Sequence, residues 1–497
     1  MKANRWLIML GVAIPAMMVE MSGTSVFVAL ETITSDLSVS IYRSVWLSTM
    51  YLAANAIMIP LAGWMGRKLG YKRVMLLGIA VFTISAFLSG SARNFESLII
   101  FRALQGLGDG PVIPISMALL LEAFPAKERG KMMAGLMLAI GVSPALGPFI
   151  ASWIVEQLGW RWIFYMTVPL GLLSLATTML LIPASKPSTQ GTKMDWAGFA
   201  LLALGTGGLQ LFLDRGQHYN WFASRFIVVV FIVAVVAFFL FLMRTFIKKD
   251  RTVLDLRLLK DSAFFTGNIA YVLLIGGLYG ALAIKMIYLQ ALMNFTPRYA
   301  GFYQAVFGVA MVIASMIAGA LMDKANPRWP FLIGIPISFY GLYLASQLTL
   351  YAGMTNILNI GIIIGVGVGF LSVPVSVCIF TTIKDKDMAN ASVLNSYLLV
   401  MGSSASVAMV IALLMKRMDV NAAYFANVVR CGNPAVQDAL FNVGTELAMP
   451  VLYEQVMGQA AMFSFNEVLY AMSLVMLLLV IYVPFMKKAK ADGKIIG

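Results

Sequence analysis

Residues 225–243 read RFIVVVFIVAVVAFFLFLM, an apolar run with a single charge at its first position. An α-helix needs about 20 such residues to cross the hydrocarbon core of a bilayer. A backbone in lipid must satisfy its own hydrogen bonds, and the runs in this chain are too long for barrel strands. Thirteen more runs lie between charged or turn-forming stretches, at 6–33, 44–64, 74–91, 97–123, 132–155, 162–182, 196–213, 262–290, 299–322, 330–349, 355–382, 389–415 and 467–486. The sequence therefore predicts an all-α polytopic membrane protein with fourteen spans.

The composition excludes several protein classes. Of 497 residues, 60% are hydrophobic and 12% are charged, whereas a soluble domain is about half apolar and a quarter charged. A water-soluble globule, a disordered chain and a disulfide-stapled secreted fold are therefore excluded. One histidine and two cysteines do not supply a His/Cys metal site, and the chain has no Gly-x-x-x-x-Gly-Lys-Ser/Thr loop for nucleotide phosphates. We expect no cofactor, no metal and no ATP-driven pumping.

The distribution of positive charge predicts the orientation. With the N-terminus in the cytoplasm, most of the 36 Lys and Arg residues fall on the cytoplasmic side, as the positive-inside rule requires. Both termini are therefore predicted to be cytoplasmic. The net charge of +14 follows from this topology, so we expect the lipid bilayer and no nucleic acid as a partner.

A weak internal repeat favours a transporter. The second span ends in Gly63-Trp-Met-Gly-Arg67-Lys-Leu-Gly70, and the tenth ends in the same way with Gly319-Ala-Leu-Met-Asp323. Paired halves of this kind are typical of transporters with a central site.

Three stretches carry motifs of a known family. The loop after the second span continues to Lys72-Arg73, which gives the pattern Gly-x-x-x-x-x-x-Gly-x-Lys-Arg from Gly63 to Arg73. Span 4 carries Arg102-x-x-Gln105-Gly-x-Gly, and span 5 carries Ser-Pro-Ala-Leu-Gly-Pro at residues 143–148.

Taken in order, these motifs resemble the major facilitator superfamily, and within it the fourteen-helix drug:proton antiporter branch of the EmrB/QacA type. The resemblance covers nearly the whole chain. It implies two six-helix bundles, at residues 1–185 and 256–497, with an inserted helix pair and cytoplasmic linker at 186–255. It further implies that the following residues carry the conformational change: Gly63, Arg67, Gly70, Arg73, Pro144, Gly147, Pro148 and Asp323.

The segment 416–466, before the last span, is predicted to be extracytoplasmic. It is too long for a simple hairpin, so we expect it to be partly helical and to form a contact surface. By analogy with Gram-negative relatives, this surface would dock a periplasmic membrane-fusion adaptor that leads to an outer-membrane channel.

Span 1 carries the most informative carboxyl groups. Glu20 and Glu31 are eleven residues apart, so they share one stripe of the helix with Thr24, about 16 Å from each other along the axis. Glu20 falls near mid-membrane, where an ionisable side chain is usually functional. We predict that Glu20 binds and releases the coupling proton, the alternative being a neutral acid held by a local hydrogen bond. Glu31 either takes part in coupling or faces the water interface.

Span 4 carries a second candidate pair for proton coupling. Arg102 and Asp109 are seven residues apart on one helix face, about 10 Å along the axis. A cation inside a span must be paired or functional. The alternatives are a structural charge pair and an Arg102 anchored by backbone carbonyls.

Lys285, near the outer end of span 9, is predicted to pair with Glu31 across the cavity and to close an extracytoplasmic gate. The alternatives are a snorkelling lysine and a site for an anionic group of the substrate. The predicted substrate cavity comprises Glu20, Thr24, Asn55, Gln105, Tyr271, Tyr279, Lys285, Gln304 and Asn395.

The sequence as a whole predicts a proton-coupled exporter of amphiphilic small molecules in a bacterial inner membrane, and not an enzyme. Its predicted ligands are the small-molecule substrate and protons. One alternative is a dedicated exporter of a single charged metabolite such as a siderophore. A more distant alternative is a membrane receptor that does not transport. No nucleophile–base pair lies within the spans, which disfavours an integral enzyme.

Overall fold

The structure, a computed structural model, describes residues 5–44, 46–124, 129–184, 194–217, 219–248, 253–324, 326–384, 387–428, 445–486, 488–489 and 495–496. The first helical bundle consists of α1 (Arg5–Asp36), α2 (Ile41–Ser44), α3 (Trp46–Leu69), α4 (Tyr71–Gly90), α5 (Phe95–Asp109), α6 (Val112–Ala123), α7 (Arg129–Leu158), α8 (Trp162–Tyr165) and α9 (Thr167–Leu181). An inserted pair follows, α10 (Trp196–Gly216) and α11 (Arg225–Ile247), joined through a 3₁₀ turn at Trp221–Ala223.

The second bundle begins with a 3₁₀ turn at Leu256–Lys260. Its helices are α12 (Ser262–Ile287), α13 (Pro297–Lys324), α14 (Arg328–Ala345), α15 (Met354–Cys378), α16 (Met388–Val428) and α17 (Thr445–Leu477). A π-helical turn, Tyr288–Leu292, extends α12, and a 3₁₀ helix, Leu478–Phe485, extends α17. Two short strands, β1 (Lys488–Ala489) and β2 (Ile495–Ile496), pair antiparallel.

The helices have the length and composition of membrane spans. Thirteen helical segments in the described part of the chain are long and apolar enough to cross a bilayer, with α5 and α6 counted together as the segment Phe95–Leu120. The predicted span at 330–349 corresponds to α14, which has 18 residues and begins with Arg-Trp-Pro; it is not among the thirteen, but it packs against α15 and α17 inside the second bundle. The prediction of an all-α polytopic membrane protein is confirmed.

The fourth predicted span is two helices rather than one. α5 ends at Asp109 and α6 begins at Val112. Pro111, between them, has no backbone N–H to donate and its ring crowds the preceding turn, so a continuous helix is interrupted there. The break leaves Asp109 in the last turn of α5, near the middle of the apolar stretch Phe95–Leu120.

The two bundles meet along two seams. At one seam α7 packs against α13, and at the other α3 packs against α16, while α1 faces α12 and α13. The inserted helices pack on each other, and α10 also lies against both α3 and α16. The inserted pair therefore flanks one seam from outside.

The described parts of the predicted segment 416–466 are helical. α16 continues to Val428 and α17 begins at Thr445, whereas residues 429–444 lie outside the described residues. The Asn421 amide donates to Ser464 Oγ at 2.9 Å and to Glu467 Oε2 at 3.1 Å. These bonds hold the two helices together beyond the predicted ends of their spans.

Candidate functional site

A cavity of about 530 Å³ lies between the two bundles. Residues of α1, α3, α5 and α7 line it from the first bundle, and residues of α12, α13, α15 and α16 line it from the second. Most of its wall is apolar, with side chains such as Phe27, Ile275, Leu278, Met311 and Val400. A mostly apolar cavity with a few precisely positioned polar groups is the usual form of a small-molecule binding site.

Glu20 is a polar group that connects the two walls of the cavity. Its Oε2 accepts a hydrogen bond of 2.9 Å from Tyr279 Oη, so a residue of α1 bonds to a residue of α12. One turn further along α1, the Thr24 hydroxyl donates to the Glu20 backbone oxygen at 3.0 Å and also lines the cavity. The predicted stripe on α1 thus faces the cavity at these two positions.

Asp109 is the second carboxyl group in the wall. It accepts a hydrogen bond of 2.6 Å from Tyr51 Oη and another from Asn55 Nδ2. Both donors are on α3, so these bonds stay within the first bundle. Neither Glu20 nor Asp109 forms an ion pair with another described residue, and phenol and amide donors hold both carboxyls.

Arg102 lies behind this wall and does not touch Asp109 directly. It is fully buried, with its guanidinium carbon 4.2 Å from the centre of the Tyr51 ring. Its Nη1 donates to Gln105 Oε1 at 2.7 Å and its Nε donates to the Leu47 carbonyl at 3.3 Å. Tyr51 therefore separates Arg102 from Asp109, stacking on the cation and donating to the carboxylate.

Tyr51 is the residue of this site that the sequence analysis did not identify. A tyrosine inside an apolar span has the same pattern as a core aromatic residue. The available signal was its spacing of four residues from Asn55, which places both side chains on one face of α3.

Tyr271 and Tyr279 both line the cavity from α12. They are eight residues apart, so they lie on nearly the same face of the helix. Tyr279 bonds to Glu20, whereas Tyr271 has no hydrogen bond to that carboxyl. The two tyrosines therefore form a matched pair for mutagenesis.

Four residues predicted for the cavity do not line it. Each is buried and bonded elsewhere, because helix-to-helix hydrogen bonds satisfy polar side chains inside a bundle. Gln105 donates to Ser22 Oγ at 3.1 Å, and Asn395 donates to Asn268 Oδ1 at 2.9 Å. The other two are Lys285 and Gln304.

The predicted gate between Glu31 and Lys285 is not formed in this structure. The Glu31 side chain is exposed near the end of α1, whereas Lys285 is 4% exposed within the second bundle. Lys285 Nζ donates to Tyr303 Oη at 2.7 Å, a bond between α12 and α13. The lysine is thus held inside its own bundle and does not snorkel to the interface.

The motif Ser-Pro-Ala-Leu-Gly-Pro of α7, at residues 143–148, contacts helices on both sides. A Cβ at Gly147 would lie 2.6 Å from the Met21 carbonyl oxygen of α1, so only glycine permits this approach. On the other side, Gln304 Nε2 of α13 donates to the Pro144 carbonyl oxygen at 3.2 Å, and Pro148 lies against Gly301 of α13. The motif therefore joins α1 to the second bundle.

The loop motif lies at the opposite seam. Gly63 is packed against Val393 of α16, and Arg67 Nη1 lies 3.4 Å from Asn390 Oδ1 of α16. Gly70 has φ = 92°, a conformation that favours glycine in the turn between α3 and α4. Arg73 is exposed, and the side chain of Asp323 lies outside the described residues.

Comparisons with known proteins add the family context. A family model described as Major Facilitator Superfamily matches residues 12–413. The multidrug export protein EmrB of Haemophilus influenzae is 28% identical, over 96% of this chain and 95% of that protein. The fatty acid resistance protein FarB of Neisseria gonorrhoeae is 28% identical, over 91% of this chain and 90% of that protein. A bacterial homolog of the human lysosomal transporter Spinster has a similar fold, with a TM-score of 0.59 over 98% of this chain and 96% of that chain at 14% identity.

Proposed function

Since this chain belongs to the major facilitator superfamily, we propose that it is a proton-coupled exporter of amphiphilic small molecules that works by alternating access. The family consists of transporters and not of enzymes. Relatives named as multidrug export proteins, at 28% identity over almost the full chain, support efflux as the direction of transport. The proton-coupled part of this proposal rests on the hydrogen bond between Tyr279 and Glu20, which joins the two bundles.

The cavity fits a cationic amphiphile. Its apolar wall would bind the hydrophobic body of such a molecule, and two carboxyl groups, Glu20 and Asp109, face the same space. Two ionised carboxylates in a low-dielectric cavity repel each other. The cavity is therefore most stable when it holds either a cationic substrate or a proton, which makes the two ligands compete and supports exchange of one for the other.

Glu20 is positioned to couple the proton to the movement of the bundles. An ionised carboxylate accepts a charge-assisted hydrogen bond from Tyr279, which is stronger than a bond between neutral groups. Protonation of Glu20 removes the charge and weakens this contact between α1 and α12. Asp109 is held within the first bundle, so its protonation changes the charge of the cavity without breaking a contact between bundles.

The test is efflux from proteoliposomes. Vesicles containing the purified protein are loaded with a panel of cationic dyes, and separately with catecholate or carboxylate siderophores, and a pH gradient is imposed. The proposal expects gradient-driven efflux of several unrelated dyes by the wild type and its loss in Glu20→Gln. Full activity of Glu20→Gln would remove Glu20 from the coupling path, and no efflux of any dye would contradict the proposal.

A dedicated exporter of one anionic metabolite is the second candidate. Lys285 favours it, because this buried lysine has a tyrosine as its bonding partner and no carboxylate among the described residues. Lys285 does not line the cavity in this structure, so we rank this candidate below multidrug efflux. Efflux of one siderophore and of no dye would favour it.

We place the protein in the bacterial inner membrane with both termini in the cytoplasm, on the basis of the charge distribution. The helices α16 and α17 then extend on the outer side, where Tyr424 and Tyr453 are each 65% exposed. These exposed aromatic side chains support the docking of a periplasmic membrane-fusion adaptor on this segment. Co-purification of an adaptor that depends on Tyr424 and Tyr453 would test this part.

A further inference from the structure

The inserted helix α10 carries a buried polar stripe that the cavity does not explain. No described residue of α10 or α11 lines the cavity. Thr206, Gln210 and Asp214 follow one another at intervals of four residues, so they lie on one face of α10 about 6 Å apart. Polar side chains within spans mark either helix contacts or functional sites.

The two ends of this stripe bond to different bundles. The hydroxyls of Thr206 and Tyr397 are 2.8 Å apart, which ties α10 to α16 of the second bundle. At the other end, the Thr49 side chain of α3 bonds to the carboxyl of Asp214, which ties α10 to the first bundle. Relative movement of the bundles must therefore act on at least one of these bonds.

Two buried oxygens at the Asp214 end have no hydrogen-bond partner. Among the described residues, Asp214 Oδ2 and Gln210 Oε1 are buried without a donor and Gln210 Nε2 is buried without an acceptor, and the two side chains lie beside each other. Buried acceptors in proteins are nearly always satisfied. A protonated carboxyl has one O–H donor, so a proton on Asp214 Oδ2 supplies the donor that Gln210 Oε1 lacks.

No cation among the described residues holds Asp214 in an ion pair. Arg215, the next residue of α10, is a cation that favours the ionised form of Asp214, but its guanidinium lies 4.2 Å from the centre of the Trp46 ring. The described ionisable groups at this end of α10 and of the elements packed against it are Arg43, Arg215, Tyr219 and Arg225. None of them forms an ion pair with Asp214, and His218 lies outside the described residues.

We propose that Asp214 is a second proton-binding site of this protein, separate from the cavity, and that its proton sets the contact between α10 and α3. In the proposed orientation this end of α10 faces the outside, so the site exchanges protons with the extracytoplasmic medium. The neutral form keeps α10 seated against Thr49 and Gln210. The ionised form puts an uncompensated charge between the helices and loosens the contact with α3.

The test is an infrared titration of the purified full-length protein in which both cavity carboxyls are replaced, Glu20→Gln with Asp109→Asn. In this background the proposal expects a protonated-carboxyl band that disappears as the pH is raised and that is missing in Asp214→Asn. Asp195→Asn is the matched control, because Asp195 lies at the opposite end of the same helix in an ion pair with Arg244. It is expected to leave the band unchanged.

Asp214→Glu is the variant for the case in which the amide does not fold. It is expected to retain the band at a shifted frequency. Thr49→Val is expected to shift the pH midpoint at which the band disappears. Thr178→Val, which removes a buried hydroxyl that bonds to Gly11, is expected to leave that midpoint unchanged.

Three results would overturn the proposal. The first is a band that persists unchanged in Asp214→Asn. The second is no band at any pH in the parent, which would mean an ionised Asp214 that accepts from Gln210 Nε2. The third is a band removed by sodium at constant pH, which would mean a metal-cation site. The infrared titration does not depend on transport, so its outcome is independent of the outcome of the efflux assay.

Discussion

Tyr279 Oη donates to Glu20 Oε2 at 2.9 Å and so joins α12 of the second bundle to α1 of the first across the cavity. A hydrogen bond to a charged group contributes about 1.5–3 kcal/mol. A contact of this strength is large enough to bias a two-state equilibrium roughly tenfold or more. The protonation state of one side chain can therefore influence which arrangement of the bundles is populated.

Tyr279→Phe removes this bond and retains the ring. We expect the rate of pH-driven dye efflux to fall by about tenfold or more, since the lost bond is worth one to two factors of ten. The measurement is the initial efflux rate from proteoliposomes at a fixed pH gradient. Tyr271→Phe is the matched control, because Tyr271 lines the same cavity from the same helix and does not bond to Glu20. Equal rates in the two variants would exclude a role for the bond.

Tyr51 is expected to have two separable roles. Tyr51→Phe removes the hydrogen bond to Asp109 and leaves a ring against Arg102, so we expect efflux to fall while the melting temperature changes little. Tyr51→Leu also removes the ring from the buried guanidinium, and we expect an additional loss of about 0.5–2 kcal/mol in unfolding free energy. Thermal unfolding in detergent, beside the efflux assay, separates the two. An identical melting temperature for the two variants would contradict the stacking role.

Gly147 is expected to tolerate no side chain. A Cβ there would meet the Met21 carbonyl at 2.6 Å, and forcing atoms into a packed contact costs about 1–3 kcal/mol. We therefore expect Gly147→Ala to lower the melting temperature and to slow efflux. Gly207→Ala on α10 is the control, because nothing lies within 4 Å of a Cβ at that position. A Gly147→Ala protein as stable and active as Gly207→Ala would contradict the close approach of α1 and α7.

The ion pair between Asp195 and Arg244, at the N-terminal end of α10, should make stability depend on pH in the acid range. Arg244 donates to both oxygens of Asp195, at 2.9 and 2.8 Å, and these hydrogen bonds hold the pKa of the Asp195 carboxyl below its ordinary value of 3.8. The ionised form is thus favoured in the folded protein. Its stabilisation is fully present above the unfolded pKa and is lost as the pH falls through the folded pKa.

Asp195→Asn is therefore expected to lower the melting temperature at neutral pH and to reduce its further fall below about pH 4. The measurement is the melting temperature against pH in detergent. Asp419→Asn, at an exposed position on α16, is the control and should follow the wild type. If Asp195→Asn also followed the wild type across the whole pH range, the ion pair between Asp195 and Arg244 would contribute nothing measurable to stability.

Much of the fold follows from the sequence. Apolar runs of span length, separated by charged loops, predict the helices, and the ordered motifs identify the major facilitator superfamily and its EmrB-type relatives, which the comparisons confirm. The break at Pro111 was not predicted, because a proline in a long apolar run permits either a kink or an interruption. The segment 416–466 is predicted to be partly helical, and its described parts continue α16 and α17.

The candidate site was predicted in part. Glu20 and Thr24 face the cavity because their spacing sets a common side of α1, and this spacing is visible in the sequence. The partner of a buried residue is not visible in this way. Lys285 of α12 bonds to Tyr303 of α13, and which residues of two helices come within reach depends on the packing of both helices along their whole length.

The most direct test of the central claim is proton release on substrate binding. Purified protein in weakly buffered detergent is mixed with tetraphenylphosphonium, a cationic amphiphile, and the released protons are measured with a pH indicator. The account predicts release from the wild type at mildly acidic pH and no release from the Glu20→Gln, Asp109→Asn double variant, whose binding of the cation is checked by equilibrium dialysis. Equal proton release from the wild type and a double variant that still binds the cation would contradict the claim that these two carboxyls exchange protons for substrate.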